Sequence, residues 1–282
     1  MKNEQQYLQE KLLACYSAGE AAAIARWVFE SRFHYTRLDY CLGKDRDFSK
    51  EEREDFENIV SRLLENEPVQ YVLGEAEFCD QQFLVNHNVL IPRPETEELV
   101  HWIVSDVSDF PDRPRILDLG TGSGCIAISL ACLLPQASVS ACDISEGALA
   151  VACENAARLE ASVSFFRDDI LNPEHLAEEP CWDVWVSNPP YICDRERQDM
   201  TRNVLDHEPH TALFVPDHDP LLFYRAIAES GLRYLRLGGS LYFEINRAYG
   251  HATREMLEEM GYKEIQIRQD QFGNDRMIKC RR

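Results

Sequence analysis

Hydrophobic residues in the first quarter of the chain recur at three- and four-residue steps, which places them on one face of a helix. These runs cover residues 7–15, 21–29 and 56–64. Ser49 precedes Glu51 and Glu52, and it suits a helix start because its hydroxyl can cap free N–H groups while the acids favour the positive end of the helix dipole. Pro68 follows the last run. The pattern predicts a small helical bundle over residues 7–67.

Short apolar runs replace the helical spacing after this bundle. Residues 77–78 and 83–85 form two runs separated by polar residues, and a third run at residues 89–91 leads into two prolines. Such runs predict extended segments and a hairpin connector. A helix is predicted next, over residues 95–107, because apolar positions return to helical spacing and Pro94 suits a first helical turn.

Strand-like and helical patterns alternate from Arg115 to the end of the chain. This alternation is typical of an α/β fold with a mainly parallel sheet and helices on both faces. The last two strands, joined by a polar loop that contains Gly273, are predicted to pair antiparallel at one edge. The predicted strands cover residues 115–119, 138–143, 162–167, 183–188, 240–245, 264–268 and 276–280.

The composition is that of a globular protein large enough to be an enzyme. With 282 residues, 45% of them hydrophobic and 28% charged, the chain can form one large domain and a small one. No segment approaches the ~18 apolar residues of a membrane span, and the first residues are polar, unlike a secretory signal. We expect a cytoplasmic protein that does not enter a membrane.

The strongly acidic charge bears on the class of substrate. A formal net charge of −20 disfavours nucleic acid as the main substrate, because binding of nucleic acid needs Lys and Arg to neutralise phosphates. A local basic patch can still coexist with an acidic whole. The charge therefore lowers the expectation of a nucleic-acid substrate without excluding it.

Cysteine and histidine spacing predicts neither a disulfide framework nor a metal site. The ten cysteines are scattered, without a Cys-x-x-Cys pair, and are expected to be reduced core residues. His207 and His210 have an interval seen in metal sites, but the neighbouring sequence offers no further Cys or His, so a surface pair is expected and no metal. Cysteines that lie within apolar stretches are Cys125, Cys132, Cys142 and Cys153.

A glycine-rich turn follows the first predicted strand of the sheet. Gly120, Gly122 and Gly124 allow a sharp turn and let a ligand approach main-chain N–H groups without a Cβ in the way. Asp143, at the end of the second strand, lies at a suitable distance along the chain to accept hydrogen bonds from ribose hydroxyls. This order predicts a nucleoside cofactor. Position 125 is Cys rather than the Gly of the dinucleotide pattern, which disfavours NAD and leaves the cofactor otherwise open.

Two acids and an isoleucine follow the third strand of the sheet. The carboxyl ends of parallel strands converge on the ligand, so an acid here can accept the adenine amino group while Ile170 covers the ring. Asp168 fits a solvated loop acid almost as well. Position favours Asp169, which is next to Ile170.

The fourth strand ends in Asn188-Pro189-Pro190-Tyr191. The two prolines stiffen the backbone and remove N–H donors, so the main chain offers carbonyl acceptors only. If the Asn188 side-chain oxygen and the Pro189 carbonyl accept the two hydrogens of a planar nitrogen, that nitrogen is held in one orientation. Tyr191 can stack on the planar group. An adenine amino group and a side-chain amide both fit this site, which predicts methyl transfer to a planar nitrogen.

At these residues the sequence resembles the methyltransferases that modify amino nitrogens, and more narrowly the HemK/PrmC family of release factor glutamine N5-methyltransferases. The resemblance extends over nearly the whole chain, and the block from Ile91 to Glu97 together with the tetrapeptide is its most specific part. The matching positions are residues 67–74, Phe78, Phe83, residues 90–97, Asp118 to Gly124, Asn188 to Tyr191, Glu208-Pro209, Ala212-Leu213, Asp270 and residues 273–276.

The resemblance implies a seven-stranded Rossmann-like class I methyltransferase sheet and an all-α N-terminal domain. Residues 1–74 would dock the substrate, residues 75–94 would form a hairpin linker and residues 95–282 the catalytic domain. The implied cofactor is S-adenosyl-L-methionine, converted to S-adenosyl-L-homocysteine. It would bind to Gly120, Thr121, Gly122, Ser123, Gly124, Asp143, Asp169, Ile170 and Asn188, while Asn188, Pro189, Pro190 and Tyr191 would hold the glutamine of a Gly-Gly-Gln motif.

Alternatives remain at this point. A ribosomal protein glutamine is one, since related enzymes share both motifs. A nucleic-acid adenine N6-methyltransferase must flip a base and grip phosphates, which the net charge disfavours. A cofactor-binding regulator without catalysis is the third. We expect a release factor as partner, no DNA, and a monomer.

Three local features stay open. Arg93 and Glu95 lie in the most recognisable block without a unique physical role, and a structural salt bridge or an ordering of the linker explains them equally well. Glu75-Ala76 and residues 207–210 depart from the family pattern.

Overall fold

The chain divides into two compact units. A computed structural model describes residues 4–42, 47–108, 113–176 and 182–282. One unit comprises Met1–Glu75 with Thr201–His207, and the other Ala76–Met200 with Glu208–Arg282. By contacts, the hairpin after residue 75 groups with the larger unit.

The first unit is helical, as the sequence predicts. Ser49 begins the fourth helix, because its Oγ accepts from the Glu52 N–H at 3.1 Å and the Glu52 carboxylate accepts from the Ser49 N–H at 2.8 Å. Glu75, at the departure from the family pattern, accepts a hydrogen bond from Ser31. The helices are α1 (Glu4–Leu12), α2 (Ala18–Ser31), α3 (Arg37–Cys41), α4 (Lys50–Leu64) and α5 (Val69–Leu73).

Aromatic side chains form the centre of this helical unit. Phe33 and Phe48 stack with ring centroids 4.6 Å apart, and Phe29 contacts both. Arg62 on α4 makes two hydrogen bonds to the buried Glu67, at 2.6 and 2.7 Å, and so joins the end of α4 to the start of α5.

The larger unit contains the hairpin and the α/β fold. Its elements, with α9 grouping by contacts with the first unit, are β1 (Glu75–Phe78), β2 (Gln81–Leu84), α6 (Pro94–Val107), β3 (Arg115–Leu119), α7 (Cys125–Leu133), β4 (Ser138–Asp143), α8 (Glu146–Arg158), β5 (Val163–Arg167), β6 (Trp182–Ser187), β7 (Ile192–Cys193), α9 (Arg202–His207), β8 (Phe214–Val215), α10 (Leu222–Tyr234), β9 (Leu235–Glu244), α11 (Gly250–Glu259), β10 (Lys263–Gln269) and β11 (Asp275–Arg281). Short 3-10 helices lie at Asp194–Asp199 and His210–Ala212.

Seven of the strands in the described residues form one sheet, in the order β10-β11-β9-β6-β3-β4-β5. The strands β9, β6, β3, β4 and β5 are parallel, and β11 is antiparallel to both β9 and β10. The predicted α/β fold and antiparallel edge are confirmed. Buried side chains form a core on each side of the sheet, one around Trp102 and one around Trp185.

Two strand predictions need correction. The run Val89–Ile91 forms no regular strand, because Pro92 and Pro94 lack the N–H that a ladder requires; the Val89 N–H closes a turn onto Asn86 instead, at 3.1 Å. Strand β9 begins at Leu235, five residues before the predicted start, because Arg236 to Gly238 are exposed, although Leu237 is apolar, and the pairing of this part with β6 is irregular.

The prediction of core cysteines is correct only in part. Cys125 and Cys142 are buried, but Cys132 and Cys153 are exposed. Cys132 lies in the last turn of α7, and Cys153 lies on the outward face of α8, so an apolar sequence context did not guarantee burial. The nine cysteines within the described residues are free, and Cys181 lies outside those residues.

None of the helices that the structure describes combines the length and the apolar character needed to cross a membrane.

Candidate active site

The sheet brings the predicted site residues to one edge. Strand β3 pairs in parallel with β4 on one side and β6 on the other, so the loops that follow these three strands meet. A cavity of about 420 Å³ opens there, which is within the usual range for a small-molecule site. Its lining includes Asn88 to Arg93, Thr96, Gly120 to Ser123, Cys125, Ile126, Asp143 to Ser145, Ala148, Asp168 to Leu171, Asn188, Pro190, Pro209, Thr211, Ala212, Phe214 and Phe223.

The glycine loop after β3 has a backbone that other residues adopt at a cost. Gly122 and Gly124 have φ values of +56° and +82°. A Cβ on Gly124 would lie 2.8 Å from Ile128 Cδ1 and 3.1 Å from Ala152 Cβ, whereas a Cβ on Gly122 would meet open space. Gly124 is therefore needed for helix packing, and Gly122 leaves room beside the loop.

Asp143 ends β4 and holds this loop from the side. Its Oδ2 accepts from the Gly122 N–H and its Oδ1 from the Ser145 N–H, both at 2.9 Å. Burial raises the pKa of Asp143, and these N–H groups oppose the rise. Each carboxylate oxygen keeps a further lone pair, and Asp143 lines the cavity, so Asp143 can accept hydrogen bonds from the hydroxyl groups of a ligand.

A second acid lies beneath the loop. Asp118, the buried fourth residue of β3, accepts from Thr121 Oγ1 at 2.6 Å. Burial raises the pKa of Asp118 to about 7. Because the side chain is fully enclosed, its role is to hold the loop from inside.

Asn155 on α8 joins the loop to the hairpin. Its Oδ1 accepts from the Leu84 N–H at 2.6 Å, while its Nδ2 donates to the carbonyls of Leu84 at 3.0 Å and Ser123 at 2.9 Å. Sequence reasoning missed this residue. The available signal was an amide among the small apolar residues of the buried face of α8, next to Ala152 and Ala156.

The geometry separates the two acids that follow β5. The buried Asp168 accepts from the backbone N–H groups of Asp169, Glu174 and His175 at 2.9–3.0 Å, so it organises its own loop. Both acids line the cavity, but Asp169 accepts a single backbone N–H, from Leu171 at 2.9 Å, and lies next to Ile170. Asp169 is the better placed of the two to meet a ligand.

The turn after β6 presents Asn188 to the same cavity. Ser187 Oγ donates to the Leu119 carbonyl at 2.6 Å, which fixes the end of β6 against β3. Asn188 and Pro190 line the cavity; Pro189 and Tyr191 do not. The Tyr191 hydroxyl donates to Glu244 Oε1 at 2.9 Å, and the predicted stacking of Tyr191 on a planar group stays a prediction.

Two further residues reach Asn188 from distant parts of the sequence. Asn188 Nδ2 donates to Thr96 Oγ1 at 3.3 Å, and Thr96 Oγ1 donates to Glu244 Oε2 at 2.6 Å. Sequence reasoning did not select either residue. Thr96 continues the apolar stripe of α6 three residues before Leu99, and Glu244 is an acidic residue next to Phe243 in a buried strand. A polar residue at a core position is the signal that was available.

The structure answers part of the question about Arg93. Its Nη2 donates to the buried Glu208 at 2.6 Å, and Glu208 also accepts from the Ile91 N–H at 3.4 Å. This ion pair fixes the segment that leads into α6. His207 contacts the Glu65 carbonyl, and the His210 ring packs against Phe214.

One group of possible metal ligands lies outside the cavity, among the residues that the structure describes. Ligand atoms of Cys79, Glu97 and His101 all lie within 4.8 Å of one another. Burial raises the pKa of Cys79 to about 11, so a metal would first have to displace the thiol proton. With three donors, one of them an exposed histidine, we assign no metal to this group.

Two protein-family models match the chain. The model of the PrmC N-terminal domain matches residues 6–74, and that of the methyltransferase small domain matches residues 101–212.

Solved structures share the fold of the chain at low identity. The hMettl16 catalytic domain in complex with a MAT2A 3′UTR hairpin has a TM-score of 0.55 and 16% identity, over 83% of this chain and 82% of that one. The T. thermophilus 16S rRNA N2 methyltransferase RsmC, in complex with AdoMet and guanosine, has a TM-score of 0.53 and 16% identity, over 74% of this chain and 49% of that one. These likenesses support the class I methyltransferase fold.

Relatives over the full length are more similar. A release factor glutamine methyltransferase of Bacteroides thetaiotaomicron is 47% identical over 98% of both chains. Enzymes of the same name from Flavobacterium psychrophilum and Staphylococcus aureus are 44% and 34% identical and cover 99% of this chain, with 98% and 99% of their own lengths matched. The chain therefore belongs to the release factor glutamine methyltransferase family.

Proposed function

We propose that the protein transfers a methyl group from S-adenosyl-L-methionine to the side-chain nitrogen N5 of the glutamine in a Gly-Gly-Gln motif of a peptide chain release factor. One observation carries the proposal. Asn188, whose Nδ2 is bonded to Thr96, lines the same cavity as the glycine loop and Asp143. A hydrogen-bond acceptor for an amide therefore lies beside a nucleoside-type site. The names of the full-length relatives support the same substrate.

The residues at the cavity fit the methyl donor. Gly120 to Gly124 offer a loop with open space at Gly122, and Asp143 offers acceptors for the ribose. Asp169 and Ile170 suit the amino group and the face of the adenine. S-adenosyl-L-methionine supplies a methyl group carried on a positively charged sulfur. The product is S-adenosyl-L-homocysteine.

The protein's own contribution is to orient and desolvate the acceptor. An amide nitrogen is a poor nucleophile because its lone pair is delocalised into the carbonyl. With one N–H donated to Asn188 Oδ1 and the other to the carbonyl of Pro189, which stands between the cavity-lining Asn188 and Pro190, the nitrogen is held in one orientation and electron density can build toward the methyl group. The nitrogen–carbon bond forms as the carbon–sulfur bond of the donor breaks, and the nitrogen then releases one of its two protons to solvent. Alignment of this kind can contribute ~7–11 kcal/mol to lowering a barrier. Pro189 and Pro190 keep the turn stiff, since each ring fixes φ.

The acceptor class follows from charge and family together. An adenine amino group would fit the same acceptors, but a net charge of −20 disfavours binding to the phosphates of a nucleic acid. Residues 6–74, which match the PrmC N-terminal domain, are the part proposed to dock the release factor. We further propose a cytoplasmic monomer without a role in DNA binding.

In the test, the protein is incubated with labelled S-adenosyl-L-methionine and with one acceptor at a time: purified release factor, ribosomes or DNA. Label on the release factor is expected, and it should disappear when the glutamine of Gly-Gly-Gln is changed to alanine. A release factor altered at a different, exposed glutamine is the matched control and should still accept label. Label on ribosomes or DNA alone would overturn the assignment.

A further inference from the structure

Four side chains connect the acceptor turn to the core of the larger unit. Asn188 Nδ2 lies 3.3 Å from Thr96 Oγ1, which lies 2.6 Å from Glu244 Oε2. The other oxygen of Glu244 lies 2.9 Å from the Tyr191 hydroxyl. Thr96 is 2% exposed and Glu244 is 1% exposed, so water has little access to replace these bonds.

Hydrogen counting gives this network a direction. An ionised carboxylate only accepts, so Glu244 takes one hydrogen from Tyr191 and one from Thr96. Thr96 has a single hydroxyl hydrogen, and once that hydrogen points to Glu244 the oxygen can only accept from Asn188. The amide of Asn188 must then present Nδ2 to Thr96.

We propose that Thr96 and Glu244 are positioning residues that fix the amide orientation of Asn188, so that Oδ1 faces the acceptor nitrogen. The orientation stands on contacts within the protein, and only its consequence for catalysis rests on the proposed function. In the reverse orientation Asn188 would present an NH₂ group to the acceptor, and two donors would face each other.

Two hydroxyl donors and a positive charge lie around the Glu244 carboxyl. Burial raises the pKa of Glu244, while the bonds from Thr96 and Tyr191 and the positive charge of Arg276 oppose the rise. Arg276 is held in turn by the buried Asp270 at 3.2 Å. A buried carboxylate without donors would be costly, so the donors keep the accepting end of the network in place.

The first experiment removes the Thr96 hydroxyl at nearly constant shape. Thr96→Val is expected to lower kcat for the release factor about 10- to 100-fold, with KM and the affinity for S-adenosyl-L-homocysteine changed less than about threefold. Thr96→Ser keeps the hydroxyl and should restore kcat to within about threefold of the wild type. Thr253→Val is the matched control: Thr253 is fully buried and donates to the Tyr249 carbonyl at 2.8 Å, away from the cavity.

The second experiment reverses the direction of the network. In Glu244→Gln the introduced amide keeps its oxygen toward the Tyr191 hydroxyl and donates its NH₂ to Thr96 Oγ1. The Thr96 hydrogen then turns to Asn188 and favours the reverse orientation. We expect a loss of kcat similar to that of Thr96→Val, and the double variant should be within about threefold of either single variant, because both break the same unit.

The third measurement does not depend on the acceptor. In protein labelled with ¹⁵N-asparagine, the Asn188 side-chain amide is assigned by its absence in Asn188→Ala. Its hydrogens should exchange with solvent about tenfold faster in Thr96→Val, and at the wild-type rate in Thr96→Ser and Thr253→Val.

The outcomes separate the two proposals. If the wild type modifies no release factor but Asn188 exchange responds as described, the proposed function fails and the positioning stands. If Thr96→Val keeps wild-type kcat and exchange, the positioning is wrong whatever the acceptor is. A loss of kcat in Thr96→Val that Thr96→Ser does not restore, or that Thr253→Val reproduces, would mean that Thr96 acts through packing and would also overturn the proposal.

Discussion

Two loops that leave neighbouring parallel strands, β3 and β6, are shaped by different means. The glycine loop after β3 depends on local backbone conformation, with left-handed residues at Gly120, Gly122 and Gly124. The turn after β6 is stiffened by two prolines, but the side chain of Asn188 is hydrogen-bonded to Thr96, 92 positions away in the sequence. Thr96 is in turn hydrogen-bonded to Glu244, which is 148 positions from it.

This difference separates what a sequence shows from what only a fold shows. A glycine with positive φ is needed where it stands, so the loop after β3 can be identified from its own residues. The direction of the Asn188 amide depends on which side chains the fold brings beside it. The two ways of shaping a loop can therefore be tested by substituting one residue of each loop at a time.

The largest effect is expected from Asn188→Ala in the turn after β6. Methyl transfer should fall about 10³-fold in kcat, because the acceptor nitrogen loses an oriented partner, as when one positioned group is removed from a polar site. Affinity for S-adenosyl-L-homocysteine should stay within about threefold in calorimetry.

Gln266→Ala, on the exposed side of the edge strand β10, is the control for a general effect of losing a side-chain amide. It should leave turnover unchanged. Near wild-type turnover of Asn188→Ala would remove the mechanism proposed for the acceptor.

Gly124→Ala in the glycine loop should lower the free energy of unfolding by about 3 kcal/mol. Two costs combine: a φ of +82° and a Cβ placed 2.8 Å from Ile128 and 3.1 Å from Ala152. Urea unfolding measures the loss. Gly19→Ala in α2 meets nothing within 4 Å and has no left-handed backbone, so it should be neutral or stabilise by up to about 1 kcal/mol.

An equal stability of the two glycine variants would contradict the packing role of Gly124. It would also show that the loop after β3 tolerates a backbone change, and the contrast between the two loops would then disappear.

Much of the fold was predictable from hydrophobic spacing. The five parallel strands and the antiparallel edge follow from alternating patterns, because buried strands and amphipathic helices need apolar residues at fixed intervals. The start of β9 at Leu235 was not predictable, since Arg236 to Gly238 are exposed and two glycines separate Leu235 from the continuous buried part of the strand. Cys132 and Cys153 were wrongly predicted to be buried, because their sequence neighbours are apolar, and the structure shows both exposed.

The site was predictable only where a residue acts in its own loop. Asp143 and Gly122 were selected from the strand and loop that carry them, and a 2.9 Å hydrogen bond joins them. Thr96, Asn155 and Glu244 were missed, because each acts through a contact with a residue distant in sequence. The local sign that all three share was a polar side chain in an apolar stripe, which does not say what it contacts.

Asp143→Ala should weaken the binding of S-adenosyl-L-homocysteine about 10- to 100-fold in calorimetry. The variant loses the proposed ribose acceptor and also the bonds from Gly122 and Ser145 that shape the loop. Asp217→Ala is the matched control, because the exposed Asp217 also accepts a hydrogen bond from a backbone N–H, that of Arg195, at 2.9 Å. An unchanged affinity in Asp143→Ala would show that the ribose was placed wrongly.

Asp118 sharpens the comparison through pH, since it supports the glycine loop from within the same strand, whereas Glu244, the buried carboxyl beside the turn after β6, belongs to another strand. The pKa of Asp118 is raised from 3.8 to about 7 by burial. Between these values the folded protein keeps a proton that the unfolded chain has released, so this group's contribution to stability falls as pH rises. The loss is about 1 kcal/mol for each pH unit below 7. The asparagine introduced in Asp118→Asn cannot titrate. When the pH rises from 5.5 to 6.5, the wild type should therefore lose about 1 kcal/mol of unfolding free energy relative to the variant. Asp217→Asn, the same change at an exposed site, should show no such shift. If the difference in unfolding free energy between Asp118→Asn and the wild type does not change with pH, the carboxyl of Asp118 stays ionised throughout this range.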